Sequence, residues 1–271
     1  MRPLYYVSNI KRPNENYIFH GIFGWDFLNG LLAYVIFSSH PIYIALSFSF
    51  YLIGFFSIYE IGYFENDTYA VKHEVSPRVH LNCKENLYQF NKNLAWVYGI
   101  FLLSVGAAIQ TWAVGEFDSV ITYSVTMTFI RNFAAAIAFV LVTRLTFRIF
   151  NSLRPRRRII PMLGLQIERT LGYALMLPIS SIGVALCLSH SFARWFPYVL
   201  YRYGHRREAF PIHVGALVLF ACCTGALVAI QKSSKNDVLS DNQFWVVVAY
   251  LGLRAAKQLL DLFRTESMID V

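Results

Sequence analysis

Residues 41–64 read PIYIALSFSFYLIGFFSIYEIGYF, an apolar run whose one acid is Glu60. About 20 apolar residues wound as a helix cross the hydrocarbon core of a bilayer, and irregular backbone cannot face lipid there. The run therefore predicts a membrane-crossing helix, and it is not isolated. Similar blocks lie near 21–38, 93–114, 119–150, 170–190, 211–231 and 243–263. With 56% hydrophobic and only 15% charged residues, the apolar content arrives in these blocks, which excludes an ordinary soluble domain. The alternating pattern of barrel strands is missing. The expected fold is an all-α polytopic bundle of about seven transmembrane helices, forming one integral membrane domain over 1–271.

Loop charge orients such a bundle, because loops rich in Lys and Arg stay in the cytoplasm. Lys11 and Arg12 precede the first span, and Lys72, Arg78, Lys84 and Lys92 follow the second. Arg154, Arg156, Arg157 and Arg158 follow the fourth, and Lys232 and Lys235 follow the sixth. Segments 1–20, 65–92 and 232–242 are thus expected on the cytoplasmic face. Residues 194–207 conflict with this count: they hold Arg194, Arg202, Arg206 and Arg207, yet fall on the outer side. Residues 192–203 are too short to span and read as interfacial, with Trp195, Tyr198 and Tyr201 as anchors. Residues 1–20 lack the order of a cleavable signal peptide. The multi-pass pattern suits a bacterial inner (cell) membrane.

The net charge of +8 lies mostly on these flanking Lys and Arg residues and forms no stripe interleaved with exposed aromatics, so nucleic acid is not an expected partner. The densest run, RPRRR at 154–158, reads either as an inside anchor or as a site for a lipid phosphate. Cys83, Cys187, Cys222 and Cys223 have no CxxC spacing and read as packed thiols. His20, His40, His190 and His213 have no metal-ligand spacing.

Chemistry-bearing residues gather where the second span ends. Glu65-Asn66-Asp67 is followed by Lys72, Glu74 and Arg78. On a continued helix Asp67 and Glu74 share a face two turns apart, with Asn66 beside them. Such oxygens suit Mg²⁺, which keeps waters and completes its shell from a substrate diphosphate. Lys72 and Arg78 would neutralise the phosphates. The alternative is a juxtamembrane turn in which Glu65, Asp67 and Glu74 pair with those bases. A second cluster follows the sixth span: Asn236-Asp237, with Asp241 four residues on. Two carboxylate sets on one face are what metal-bridged diphosphate chemistry requires. Within the spans, Arg131 needs a buried partner such as Glu60, and Asp26 pairs with Arg12 or faces the site. Ser180-Ser181 after Pro178 reads as a helix kink.

In Asn66-Asp67 through Glu74 and Asp237 through Asp241, the chain resembles the UbiA prenyltransferase superfamily, whose members carry NDxxDxxxD after the second helix and DxxxD-type acids after the sixth. Trp25 and Asn29 in the first span and the basic 4–5 loop add to the likeness, which covers about the first 240 residues as a pattern of spans and loops. Ala70 stands where that motif has its middle acid. Pro77, soon after the acids, matches the branch that moves a phosphoribosyl group onto polyprenyl phosphate.

The resemblance implies a UbiA-like fold and a Mg²⁺-dependent transferase acting on a polyprenyl phosphate or diphosphate, for glycan or glycolipid decoration. It implies catalytic Asp67 and Glu74; metal contacts from Asn66, Asp67, Glu74, Asp237 and Asp241; and phosphate contacts from Lys72, Arg78, Arg154 and Arg156. The competing reading is a non-catalytic subunit or transporter of such a pathway.

Overall fold

The computed structural model describes residues 3–11, 16–69, 90–115, 122–207, 210–231 and 238–267. These residues contain helices and no strand. In chain order the helices are α1 (Tyr6–Lys11), α2 (18–35), α3 (Pro41–Thr68), α4 (Lys92–Gly115) and α5 (Thr122–Ser152). After them come α6 (Ile159–Leu171), α7 (Ser181–Arg202), α8 (Ile212–Gln231) and α9 (Asn242–Ser267). The chain divides into two compact units, Met1–Pro178 and Ile179–Val271.

Among the described residues four helices are long and apolar enough to cross a membrane: Pro41–Thr68, Lys92–Trp112, Val125–Ser152 and Ile212–Ala229. They coincide with four of the seven predicted spans. The predicted 170–190 span is not one helix. A 3₁₀ turn at Gly172–Leu175 ends α6, and α7 starts only at Ser181. The cause is Pro178, which has no N–H to donate and pushes the residue before it out of the helical region. Ser180 is accordingly not a kink residue: its Oγ accepts the Gly183 N–H at 2.9 Å and caps α7. Residues 192–202 are the second half of that 22-residue helix, and Tyr203 caps it.

In the first unit, α3 is the central helix. Pro41 stands in its first turn, where the missing N–H costs nothing. Small residues bring α3 and α4 together: a Cβ on Gly54 would lie 3.0 Å from the Gly99 carbonyl oxygen. Close backbone approach of this kind is how helices associate in lipid, where hydrophobicity supplies no drive. Ser47 donates to the Gly106 carbonyl at 2.8 Å, and Tyr51 donates to Gln110 at 2.8 Å. Gln110 in turn donates to the Met176 carbonyl at 2.5 Å, satisfying an acceptor freed by the break before Pro178. On its other side α3 packs aromatics against α5. Phe55 stacks on Phe139 at 4.9 Å, and Tyr59 meets Phe147 edge-on at 4.6 Å. Gly62 makes room for that ring: a Cβ there would overlap Phe147. Most of α2 is wound as a π-helix, as in the Ile36 N–H bond to the Leu31 carbonyl.

Candidate functional site

The helix of α3 runs on past its apolar stretch and carries Glu65, Asn66 and Asp67 in its last turn. Asp67 is 9% exposed, and both of its oxygens face the Lys11 ammonium, at 3.0 and 3.2 Å. The Tyr6 hydroxyl donates to Oδ2 at 2.9 Å, and the Asn66 amide donates to Oδ1 at 3.2 Å. Lys11 also sits 4.3 Å above the Tyr63 ring. Glu65 takes Arg144 at 2.7 Å and Lys92 at 3.9 Å. Glu65 and Asp67 are thus paired with bases from α1, α4 and α5; Lys72, Glu74 and Arg78 of the expected pairing lie outside the described residues.

Glu60, seven residues before Asp67, is fully buried on the same side of α3, where it accepts the Val7 N–H at 2.8 Å. It is not the partner of Arg131, which is exposed on α5. One face of α3 therefore grips α1 twice: Glu60 at its amide-rich first turn and Asp67 at its terminal lysine. The Glu60 acceptor suits the N–H-rich start of α1, and the Lys11 cation suits its carbonyl-rich end.

The remaining predicted residues separate. Lys72, Glu74, Arg78 and Asp237 lie outside the described residues. Asp241, in the second unit, accepts the Gln243 N–H at 2.7 Å and caps α9. Arg154 and Arg156 are exposed beside Arg157. Arg158 of the same run is buried, donates from Nε to the Leu153 carbonyl at 2.8 Å, and lies over Phe150.

Among the described residues no group of three His, Cys, Asp or Glu side chains converges as a metal site. Asn66 and Asp67 are hard-oxygen donors of the right type for Mg²⁺, but that ion wants near-octahedral oxygen coordination. Here the carboxylate is already neutralised by an ammonium and two further donors. This donor set suits Lys11; Glu74 and Asp237, the other expected metal contacts beside Asp241, lie outside the described residues.

A site that was not legible lies deeper. Arg169 of α6 grips Asp26 of α2 with two bonds, Nε to Oδ1 at 2.9 Å and Nη2 to Oδ2 at 2.5 Å. Both side chains are at least nine-tenths buried. Nη2 also donates to the Tyr17 hydroxyl at 3.1 Å, and the guanidinium lies over Phe56. Asp26 is thus engaged by Arg169; Arg12, its expected partner, lies outside the described residues. Next to Arg169, Glu168 accepts the Thr146 hydroxyl at 2.5 Å, and burial raises its pKa against that bond. Asn29, a turn beyond Asp26, is buried with neither amide atom bonded. Arg169 follows Asp26 by 143 residues, so no local spacing marks the pair.

The chain matches no family model, no curated protein and no solved structure.

Proposed function

We propose that this chain is a multi-pass membrane protein, of a bacterial inner membrane, that binds a phosphate-bearing isoprenoid lipid, and that its Asn66-Asp67 cluster is an electrostatic latch and not a metal centre. The observation that carries the latch is Lys11 seated on both oxygens of Asp67, with Glu65 matched by Arg144. Four long apolar helices support the membrane setting. The resemblance in spans and loops supports the isoprenoid ligand. In this reading α1 is held against the end of α3, and the protein serves its pathway as a non-catalytic subunit or transporter.

A second reading is a UbiA-type transferase that moves a phosphoribosyl or prenyl group with loss of diphosphate. It is favoured by Asn66 and Asp67 sitting in the last turn of a long apolar helix, directly before the segment that holds Lys72, Glu74 and Arg78. There the bases Lys72, Arg78, Arg154 and Arg156 would hold phosphate. The test is incubation of the purified protein with labelled polyprenyl phosphate, phosphoribosyl diphosphate and Mg²⁺. Lipid binding that survives chelation, with no labelled product, is expected. A Mg²⁺-dependent product establishes the transferase instead.

A further inference from the structure

The second unit holds two cavities along the same helix pair. One has a volume of about 460 Å³ and is lined by His213 of α8 and by Arg254, Lys257, Gln258, Asp261 and Leu262 of α9. Small-molecule sites fall in the range of roughly 300–1,000 Å³. The α9 positions 254, 257, 258 and 261 follow i, i+3, i+4, i+7 and form one stripe of the helix. Gln258 fixes that stripe against the start of α8, where its side-chain oxygen accepts the His213 and Val214 N–H groups at 2.8 and 3.3 Å. Arg254 is held along Tyr250 and donates to its hydroxyl at 2.6 Å. Arg194 of α7 lies within electrostatic reach of His213. Among the described lining residues Arg254 and Lys257 stand against the carboxylate of Asp261, which leaves the lining net cationic.

The second cavity, about 360 Å³, is almost wholly apolar; its lining includes Leu217, Ala221 and Val228 of α8 with Phe244 and Val248 of α9. His213, Leu217, Ala221, Thr224 and Val228 recur at spacings of three and four, so a single face of α8 runs from the polar cavity into the apolar one.

We infer that the α8–α9 seam binds an amphiphile with a phosphate headgroup, the phosphate at Arg254 and Lys257 and the chain along Leu217 to Val228. Arginine and lysine suit the anion, the arginine through its forked donors and the lysine as a point charge. The apolar face excludes a ligand that is phosphate alone. This inference rests on the proposed function only for the identity of the lipid as an isoprenoid.

The experiment uses the full chain in nanodiscs, with a diazirine-bearing polyprenyl phosphate as probe and phosphatidate, polyprenol and inorganic pyrophosphate as competitors. Crosslinks on α8 and α9 between Leu217 and Val248 are expected. The double substitution Arg254→Gln with Lys257→Gln should weaken binding at least about tenfold, the scale of losing charge-assisted hydrogen bonds. Arg206→Gln, an exposed control, should leave binding unchanged. Should the double variant misfold, crosslink mapping on the unaltered chain still decides.

Capture of phosphatidate but not polyprenyl phosphate, with the same loss in the double variant, upholds the seam and removes the isoprenoid reading. Crosslinks confined to other helices overturn the inference. Equal competition by polyprenol, or by pyrophosphate, overturns it as well, since it requires both head and chain.

Discussion

Lys11 and Asp67, separated by 56 residues, meet at 3.0 Å where α3 leaves its apolar stretch. Seven residues earlier on α3, Glu60 receives the Val7 N–H, so one helix face fastens both ends of α1. Replacing Lys11 with Met should leave Asp67 without its cation and loosen α1. The cost is about 1 kcal/mol, as for a partly solvated pair. Amide hydrogen exchange over residues 6–11 should accelerate severalfold, while α3 stays protected. The charge-exchanged chain, Lys11→Asp with Asp67→Lys, should recover part of the protection.

Glu60→Leu should cost more, because it strands the buried Val7 N–H: about 1–3 kcal/mol. Glu60→Gln keeps an acceptor oxygen and should cost less. The order of the two midpoints in denaturing-detergent titration checks this.

The buried pair gives the largest expected effect. Arg169→Met takes the two guanidinium bonds from the buried Asp26 carboxylate and should destabilise the first unit by about 3–5 kcal/mol. Adding Asp26→Leu should restore most of that loss, because the penalty belongs to the stranded charge and not to an absent attraction. Additive losses in the double-mutant cycle would remove this explanation.

Glu168 sets a pH dependence. Burial raises its carboxyl above the usual 4.5, so the folded chain holds that proton more tightly than the unfolded one. The stabilisation is present below the ordinary carboxylate pKa and is lost as pH rises through the folded value. Glu168→Gln should therefore gain on the unaltered chain as pH climbs from 4.5 towards neutrality. Equal pH profiles for the two chains would contradict it.

The runs at 41–64, 93–114, 119–150 and 211–231 were readable because a bilayer selects for length and hydropathy, and both are written locally. The break before Ser181 was hidden by the same measure, which counts apolar side chains and ignores the N–H that Pro178 lacks. Glu65 and Asp67 were legible as charges needing partners. Their partners Arg144 and Lys11 come from α5 and α1, and only the packing of those helices on α3 brings them near. Asp26 with Arg169 was beyond reach for the same reason. Asp241 looked like half of an acid cluster; its position one residue before α9 makes it a cap, a role for which aspartate is equally suited.

In the proposed latch Asp67 holds Lys11 and not a metal. The most direct measurement is the yield of phosphoribosylated lipid from purified protein, labelled polyprenyl phosphate and phosphoribosyl diphosphate, with and without Mg²⁺, for the unaltered chain and for Asp67→Asn. No Mg²⁺-dependent product is expected from either chain, with lipid binding intact in both. A Mg²⁺-dependent product that Asp67→Asn abolishes, while that variant stays folded and lipid-bound, would contradict the latch.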